Sequence, residues 1–333
     1  MKIVLLVTSP GDLMCGVADY TEKLAQAFDD IGVEAILDRP ASWNAGEIAR
    51  IRRVHGGADT VLHLQYPSLT MSNSLAPAML PIVAPNIYAT LHEFRLFSLP
   101  RKLIFAPFAL RARALVFSNP AERDGFRRAF PFGGASLRVL PIGNNIHKVD
   151  DAVERRERLV YFGQISRNKG IEIFLDTIST LRRQGAPLEC RMIGAMVEGD
   201  GEFRAMVERR AAELDVSLRL NMPPDDVSRE LLAATIALLP FPDGVSDKRG
   251  SALACLDHGV SVLTTQSQTT PAWLKQTTLP ITDPDDAAAA IARLLAGNAD
   301  RHPGADVLAR EMKARDWREI ARAHLALYRD TMR

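Results

Sequence analysis

The chain has 333 residues, 47% of them hydrophobic and 24% charged, with a formal net charge of +1. That length exceeds one ordinary compact core and suits two domains, while the near-neutral balance offers no global field to draw nucleic acid. Cys15, Cys190 and Cys255 are too few and too widely spaced for a disulfide framework or a zinc site, which points to a reducing cytoplasm, and no run approaches the length of a spanning helix, so membrane contact is expected to be peripheral.

Short apolar runs alternate with helical patterns from the start, the signature of strand–helix units on a parallel sheet. In the first half the predicted strands are 3–7, 35–37, 61–64, 87–91, 115–117 and 137–140. Ligands of open parallel sheets bind beyond the carboxyl ends of the strands, so the residues after each run are the candidates. After the first run comes a loop ending at Gly16, where a missing side chain lets a ligand approach the backbone. The helix predicted at 17–28 follows, with Asp19 and Tyr20 near its start. Gln65 and Tyr66 follow the third run, His92 and Glu93 the fourth. His92 reads either as a satisfied structural histidine or as a hydrogen-bonding group of a site. Asp19 reads either as a general base or as a first-turn carboxylate favoured by the helix dipole.

Charge is less even locally than in total. Residues 95–138 carry nine Lys and Arg against Glu122 and Asp124, interleaved with Phe97, Phe105, Phe108, Phe117, Phe126, Phe130 and Phe132. Such a stretch suits an anionic leaflet or lipid phosphate; alternatively, the phenylalanines face a core and the arginines face water. The run at 137–140 leads into Gly143 and Asn144, and the charged stretch 147–158 reads as a linker. The expected division is a first domain over 1–150 and a second over 151–315. A helical, Arg-rich tail spans 305–332, and its part from 316 to 333 is expected to pack back on the first domain.

The second half has predicted strands at 159–162, 191–193, 217–220, 235–239 and 261–263, with helices at 171–184, 202–214, 226–234 and 251–258. Its first loop, Gly163 to Gly170, carries Lys169 into a helix start. A later loop runs from Pro240 through Ser246 and Asp247 to Lys248-Arg249, directly before Gly250-Ser251 and a helix. The first turn of a helix presents unpaired N–H groups and the positive end of the dipole, and Arg grips two phosphate oxygens at once. The basic pair alone would equally decorate a solvated loop. Two helix starts that each carry cations are what a diphosphate needs, with charge on both phosphoryl groups. The loops at 194–201 and 221–224 lie where a nucleoside would rest.

The sequence lacks G-x-G-x-x-G after the first run, a P-loop, metal-ligand spacing and a nucleophile elbow. What remains is transfer of a group away from a bound diphosphate.

Residues 161–172, YFGQISRNKGIE, resemble the Gly-Arg then Lys-Gly segment in the donor domain of GT-B glycosyltransferases, specifically glycosyltransferase family 4. Residues 232–265 resemble that family's block of apolar run, Pro, loop, helix and Gly-x-Val strand. In the first half CGVADYTEKLA, VLHLQYP, ATLHEF, SNPAERDGF and VLPIGNN stand in family order, so the resemblance covers nearly the whole chain. It implies an α/β, GT-B fold: two Rossmann-like doubly wound parallel-sheet domains facing a cleft, the first binding acceptor and the second a nucleoside-diphosphate sugar. The implied reaction is sugar transfer to a saccharide or lipid-linked acceptor, retaining, with no metal or other cofactor, in surface polysaccharide or glycoconjugate synthesis at the inner face of the cytoplasmic membrane. On this reading Lys169 and Arg249 stabilise the leaving diphosphate, and His92 bonds the donor sugar or the departing acceptor proton. Donor binding falls to Gly16, Gly143, Asn144, Gly163, Lys169, Ser246, Asp247, Lys248, Arg249, Gly250 and Ser251. The acceptor side falls to Asp19, Tyr20, Gln65, Tyr66 and Glu93. Two departures stand out. Gln164 takes the place of the family's usual Arg, and Ser246 and Ala254 take the places of its two glutamates. They leave two alternatives: a degenerate nucleotide-sugar-binding partner subunit, or a GT-B nucleotide-sugar epimerase.

Overall fold

A computed structural model describes residues 1–8, 16–67, 74–186, 188–197 and 199–332. The loop at 9–15, with Cys15, and part of the loop at 194–201 therefore lie outside the described residues. The apolar runs become strands buried on both faces, as parallel sheets covered by helices require. The first six are β1 (Lys2–Leu6), β2 (Ala35–Asp38), β3 (Thr60–Tyr66), β4 (Ile87–Leu91), β5 (Ala114–Phe117) and β6 (Ser136–Val139). They form one sheet in the order β2-β1-β3-β4-β5-β6, every pair parallel. Every residue of β3, β4 and β5 is buried, whereas the edge strands β2 and β6 are half-buried or exposed.

The second set is β7 (Arg158–Phe162), β8 (Glu189–Gly194), β9 (Val216–Leu220), β10 (Ile236–Leu239), β11 (Ser261–Thr264) and the short β12 (Leu279–Pro280). Its order is β12-β11-β10-β7-β8-β9, again all parallel. Sequence periodicity does not reveal β12, which is too short to show a pattern. Side-chain caps fix several helix starts: Asn119, Asp200 and Asp283 each accept an N–H from the first turn that follows.

The chain divides into two compact units, one of Met1–Gly143 with Ala314–Arg333, the other of Asn144–Lys313. The first unit's leading segment ends at Gly143 because the stretch with the composition of a linker is bonded to the second unit. Asn144 Nδ2 donates to Asp257 Oδ2 at 2.9 Å, Val149 N–H to Ser228 Oγ at 3.0 Å, and Arg156 N–H to Ala233 O at 2.8 Å. Sparse apolar composition hides this attachment because polar groups make the contacts.

The tail is two helices rather than one, Ala305–Ala314 and Trp317–Thr331. Asp316 caps the second, accepting from Arg318 and Glu319 N–H groups. This helix buries Tyr328 against the first sheet, with ring centroids 4.9 Å from Tyr88 and the hydroxyl 2.5 Å from His63 Nδ1. Gly143 is small for the same reason: a Cβ there would stand 2.5 Å from the Trp317 indole.

The aromatic residues of 95–138 resolve into packing. Phe97, Phe105, Phe108, Phe117 and Phe126 are buried in one cluster with Leu91 and Leu115, and only Phe132 is fully exposed. Cys190 and Cys255 are buried free thiols. No helix among the described residues is long and apolar enough to cross a membrane.

Candidate functional site

In the second sheet β7 lies between β10 and β8, so the chain's strand order reverses at the β7–β10 pair. Crevices beyond such a reversal are where open α/β sheets bind ligands. The loops leaving these strands, 163–170 and 240–249, bound a pocket of about 280 Å³. Tyr161, Phe162, Gly163, Gln164 and Lys169 line one side; Phe241, Lys248, Arg249, Gly250 and Ser251 line another; Asn144, Asn145 and Ile146 complete it.

Close backbone packing holds the two loops together. Gly170 has φ +72°, and a Cβ there would stand 1.9 Å from the Pro240 carbonyl oxygen. Gly163 and Gly194 stack at the ends of β7 and β8, where a Cβ on Gly194 would meet Gly163 O at 1.8 Å. The 240–249 loop is tied in turn to the segment after β11. Val245 N–H donates to Thr265 O at 2.9 Å, and Thr270 Oγ1 donates to Val245 O at 2.9 Å.

Arg249 is the N-cap of the helix Gly250–Asp257, which has no side-chain cap bond, and Ser251 is the second residue of that helix. The Arg249 guanidinium is engaged from two sides. It donates to the Asp243 carboxylate and lies over the Phe241 ring at 4.7 Å from the centroid. Partial burial lowers the Lys169 pKa, the nearby Arg249 charge lowers it further, and Asp243 opposes both. Three charged groups from two loops therefore share one field, two positive and one negative. Burial pushes the Tyr161 phenol up and keeps it neutral, and its hydroxyl donates to Gln164 O at 2.8 Å, bracing the start of the loop. Asn144 braces the opposite wall, donating to Ile146 O at 2.7 Å and accepting Ile146 N–H at 3.0 Å.

Of the donor-side expectations, Asn144, Gly163, Lys169, Lys248, Arg249, Gly250 and Ser251 line this pocket. Ser246 and Asp247 belong to the same loop without lining it; Ser246 O accepts the Arg249 N–H at 3.0 Å. Ala254 is wholly buried in the core, so its position serves packing here. Sequence pattern gives no functional signal for Phe241, Tyr161 or the Asp243–Arg249 pair. Only the fold brings an aromatic ring under Arg249.

The remaining candidates sit in the first unit. Gly16 opens the helix Gly16–Asp30 and is exposed, with no atom within 4 Å of the point where a Cβ would stand. His92 follows β4 and is buried, its Nε2 3.1 Å from Gln65 Oε1 and its ring edge-on to Tyr20 at 5.0 Å. Tyr20 is buried, with its hydroxyl 3.3 Å from His324 Nε2. Tyr66 is a core side chain, edge-on to Phe97 and Phe105. Glu93 is exposed, and partial burial raises the Asp19 pKa. The structure thus brings Tyr20, Gln65 and His92 together, apart from Tyr66 and Glu93.

Residues 156–297 match the family profile described as Glycosyl transferases group 1. No curated protein matches the chain in sequence. Several solved structures share its fold. A glycosyltransferase from Rickettsia africae superposes with a TM-score of 0.73 at 11% identity, covering 100% of this chain and 98% of that one. Sucrose-phosphate synthase from Thermosynechococcus elongatus gives 0.67 at 17% identity, covering 99% and 98%. HepE from Anabaena, solved with UDP and glucose, gives 0.62 at 12% identity, covering 99% and 98%. With two parallel sheets of this order and the matching stretch built around the β7–β10 pocket, the chain has the GT-B fold and carries, over residues 156–297, a glycosyl transferases group 1 domain.

Proposed function

We propose that the protein transfers a glycosyl group from a nucleoside-diphosphate sugar to a saccharide or lipid-linked acceptor, with retention at the anomeric carbon and without a metal ion. One observation carries the donor assignment: Lys169, Lys248 and Arg249 converge with a helix N-terminus on a single pocket at the strand-order reversal. HepE, solved with UDP and glucose, offers a parallel for the ligand class. In the reaction the bond from the anomeric carbon to the diphosphate breaks and its electron pair stays on the phosphate oxygen. An acceptor hydroxyl bonds to that carbon and gives up its proton. Charge grows on the diphosphate as the bond breaks, so fixed cations and helix N–H groups bind the transition state more tightly than the ground state. These cations supply charge that a metal would otherwise provide. His92 is assigned to hydrogen-bond the donor sugar or take the acceptor's proton. Retention rests on the resemblance of residues 161–172 and 232–265 to family 4 enzymes.

Turnover of labelled nucleotide sugars by the purified chain tests the reading, with EDTA present and the product's anomeric configuration read by NMR. Acceptor-dependent transfer that survives EDTA is expected. Binding without turnover would favour a partner subunit, and acceptor-independent conversion of the donor sugar an epimerase.

Two further outcomes follow from the site's charges. Asp243 holds the Arg249 guanidinium, so a bound diphosphate has to compete with it. Asp243→Asn is expected to tighten nucleoside-diphosphate binding roughly two- to fivefold by calorimetry, the scale of an exposed ion pair; weaker binding would mean that Asp243 orients Arg249 instead. Lys169 has a lowered pKa and loses its proton at a lower pH than an ordinary lysine. Diphosphate affinity is therefore expected to fall as pH rises towards that value. Lys169→Arg, which stays charged, should flatten the profile.

A further inference from the structure

Eight of the eleven exposed large hydrophobic side chains among the described residues fall between 75 and 132, all in the first unit. Leu99 and Leu103 stand one turn apart on the short helix Leu99–Leu103, none of whose residues is buried; Leu99 is 74% exposed. The next helix, Ala106–Arg111, packs against Leu80–Val83, and an open apolar groove of about 270 Å³ between them is lined by Ile82, Ala106, Pro107, Leu110 and Arg111. Ala135 N–H donates to Ala109 O at 3.1 Å, which brings the loop with Phe132, 93% exposed, alongside the same helix. Soluble monomers rarely leave so much aliphatic surface in one region.

The surrounding charge is predominantly positive, with Glu93 the exposed acid just before the strip. Nine basic residues fall within 95–138, and the two acids there are already engaged. Glu122 is buried and accepts the Arg95 N–H at 2.8 Å; Asp124 is paired with Arg123 at 2.9 Å. Arg111, Arg113, Arg127 and Arg128 remain exposed. A second copy of the chain would bring the same positive field against itself, so self-pairing is disfavoured.

We propose that this leucine-rich strip of the first unit docks on an anionic phospholipid bilayer. The aliphatic side chains enter the boundary between headgroups and acyl chains, while the flanking arginines and Lys102 meet lipid phosphates. The inserting groups are leucines, Ile82 and Phe132, because most of the phenylalanines that interleave the basic residues are committed to the core. The surface does not depend on the donor reading, since vesicle binding is measured without turnover.

The test is flotation of the full chain with phosphatidylcholine vesicles, with and without phosphatidylglycerol. Binding is expected to be roughly tenfold stronger with phosphatidylglycerol and to weaken with salt. Leu99→Ser with Leu103→Ser should lower it roughly tenfold while circular dichroism and thermal midpoint hold, because neither side chain is buried. Arg111→Gln with Lys102→Gln should erase the lipid preference. Equal or no binding to the two vesicle types overturns the proposal, as does binding unchanged in the leucine variant. A dimer seen by light scattering that the leucine variant dissociates, with no vesicle binding, would assign the strip to self-association and overturn it too.

Discussion

Arg249→Ala is expected to lower kcat/KM for the sugar donor by about ten- to a hundredfold while the fold survives. A charge-assisted hydrogen bond contributes roughly 1.5–3 kcal/mol, and about 1.4 kcal/mol is a factor of ten in rate. Arg249 is only half-buried at the mouth of its loop, so its loss leaves no large cavity. It does leave the Asp243 carboxylate facing the incoming diphosphate without its partner, which adds repulsion to the lost attraction. Arg249→Lys should fall between the two, keeping charge but losing the two-pronged grip and the stacking on Phe241. Lys169→Ala is expected to have a comparable effect, because the two cations come from different loops of the same pocket. Steady-state kinetics on both single variants and the double variant check this. A folded Lys169→Ala, Arg249→Ala protein with undiminished turnover would remove the assignment.

A large structural effect is expected at Gly170. Its φ of +72° disfavours any side chain, and a Cβ would enter the Pro240 carbonyl oxygen at 1.9 Å. Gly185 supplies the control, since it has the same φ of +72° with nothing within 4 Å. Gly185→Ala should cost about 1 kcal/mol, the ordinary left-handed penalty. Gly170→Ala should cost about 3 kcal/mol or more, because the two loops must also move apart. For a unit of this size that lowers the thermal midpoint by roughly 6–12 °C. Hydrogen exchange at β7 and β10 localises the loss. Equal costs at the two glycines would show that the contact with Pro240 does not hold the loops in register. Donor affinity should fall in Gly170→Ala and stay unchanged in Gly185→Ala.

The long buried strands are the most legible elements. The runs at 61–64, 87–91, 159–162 and 261–263 appear within a residue or two of β3, β4, β7 and β11, because apolar content over four or five residues is a local property. Polar contacts are the least legible. Asn144, Val149 and Arg156 carry the linker-like stretch onto the second unit through hydrogen bonds, which leave no periodicity. The phenylalanines of 95–138 show the same limit: composition establishes that apolar and basic residues alternate, but not which apolar ones face inward.

Local sequence pattern is enough to set the alternation of strand and helix, the two parallel-sheet domains and the loops that carry Lys169 and Lys248-Arg249. Each follows from short-range pattern, from glycine and proline placement, and from the chemistry of the residues themselves. Only in the folded chain are β7 and β10 neighbours, so that those two loops share one pocket. The fold also sets Phe241 and Asp243 against Arg249, and leaves Leu99 and Leu103 rather than most of the phenylalanines in solvent. These are pairings between residues far apart in the chain. Sheet order and close backbone packing fix them, and neither is encoded in any single window of sequence.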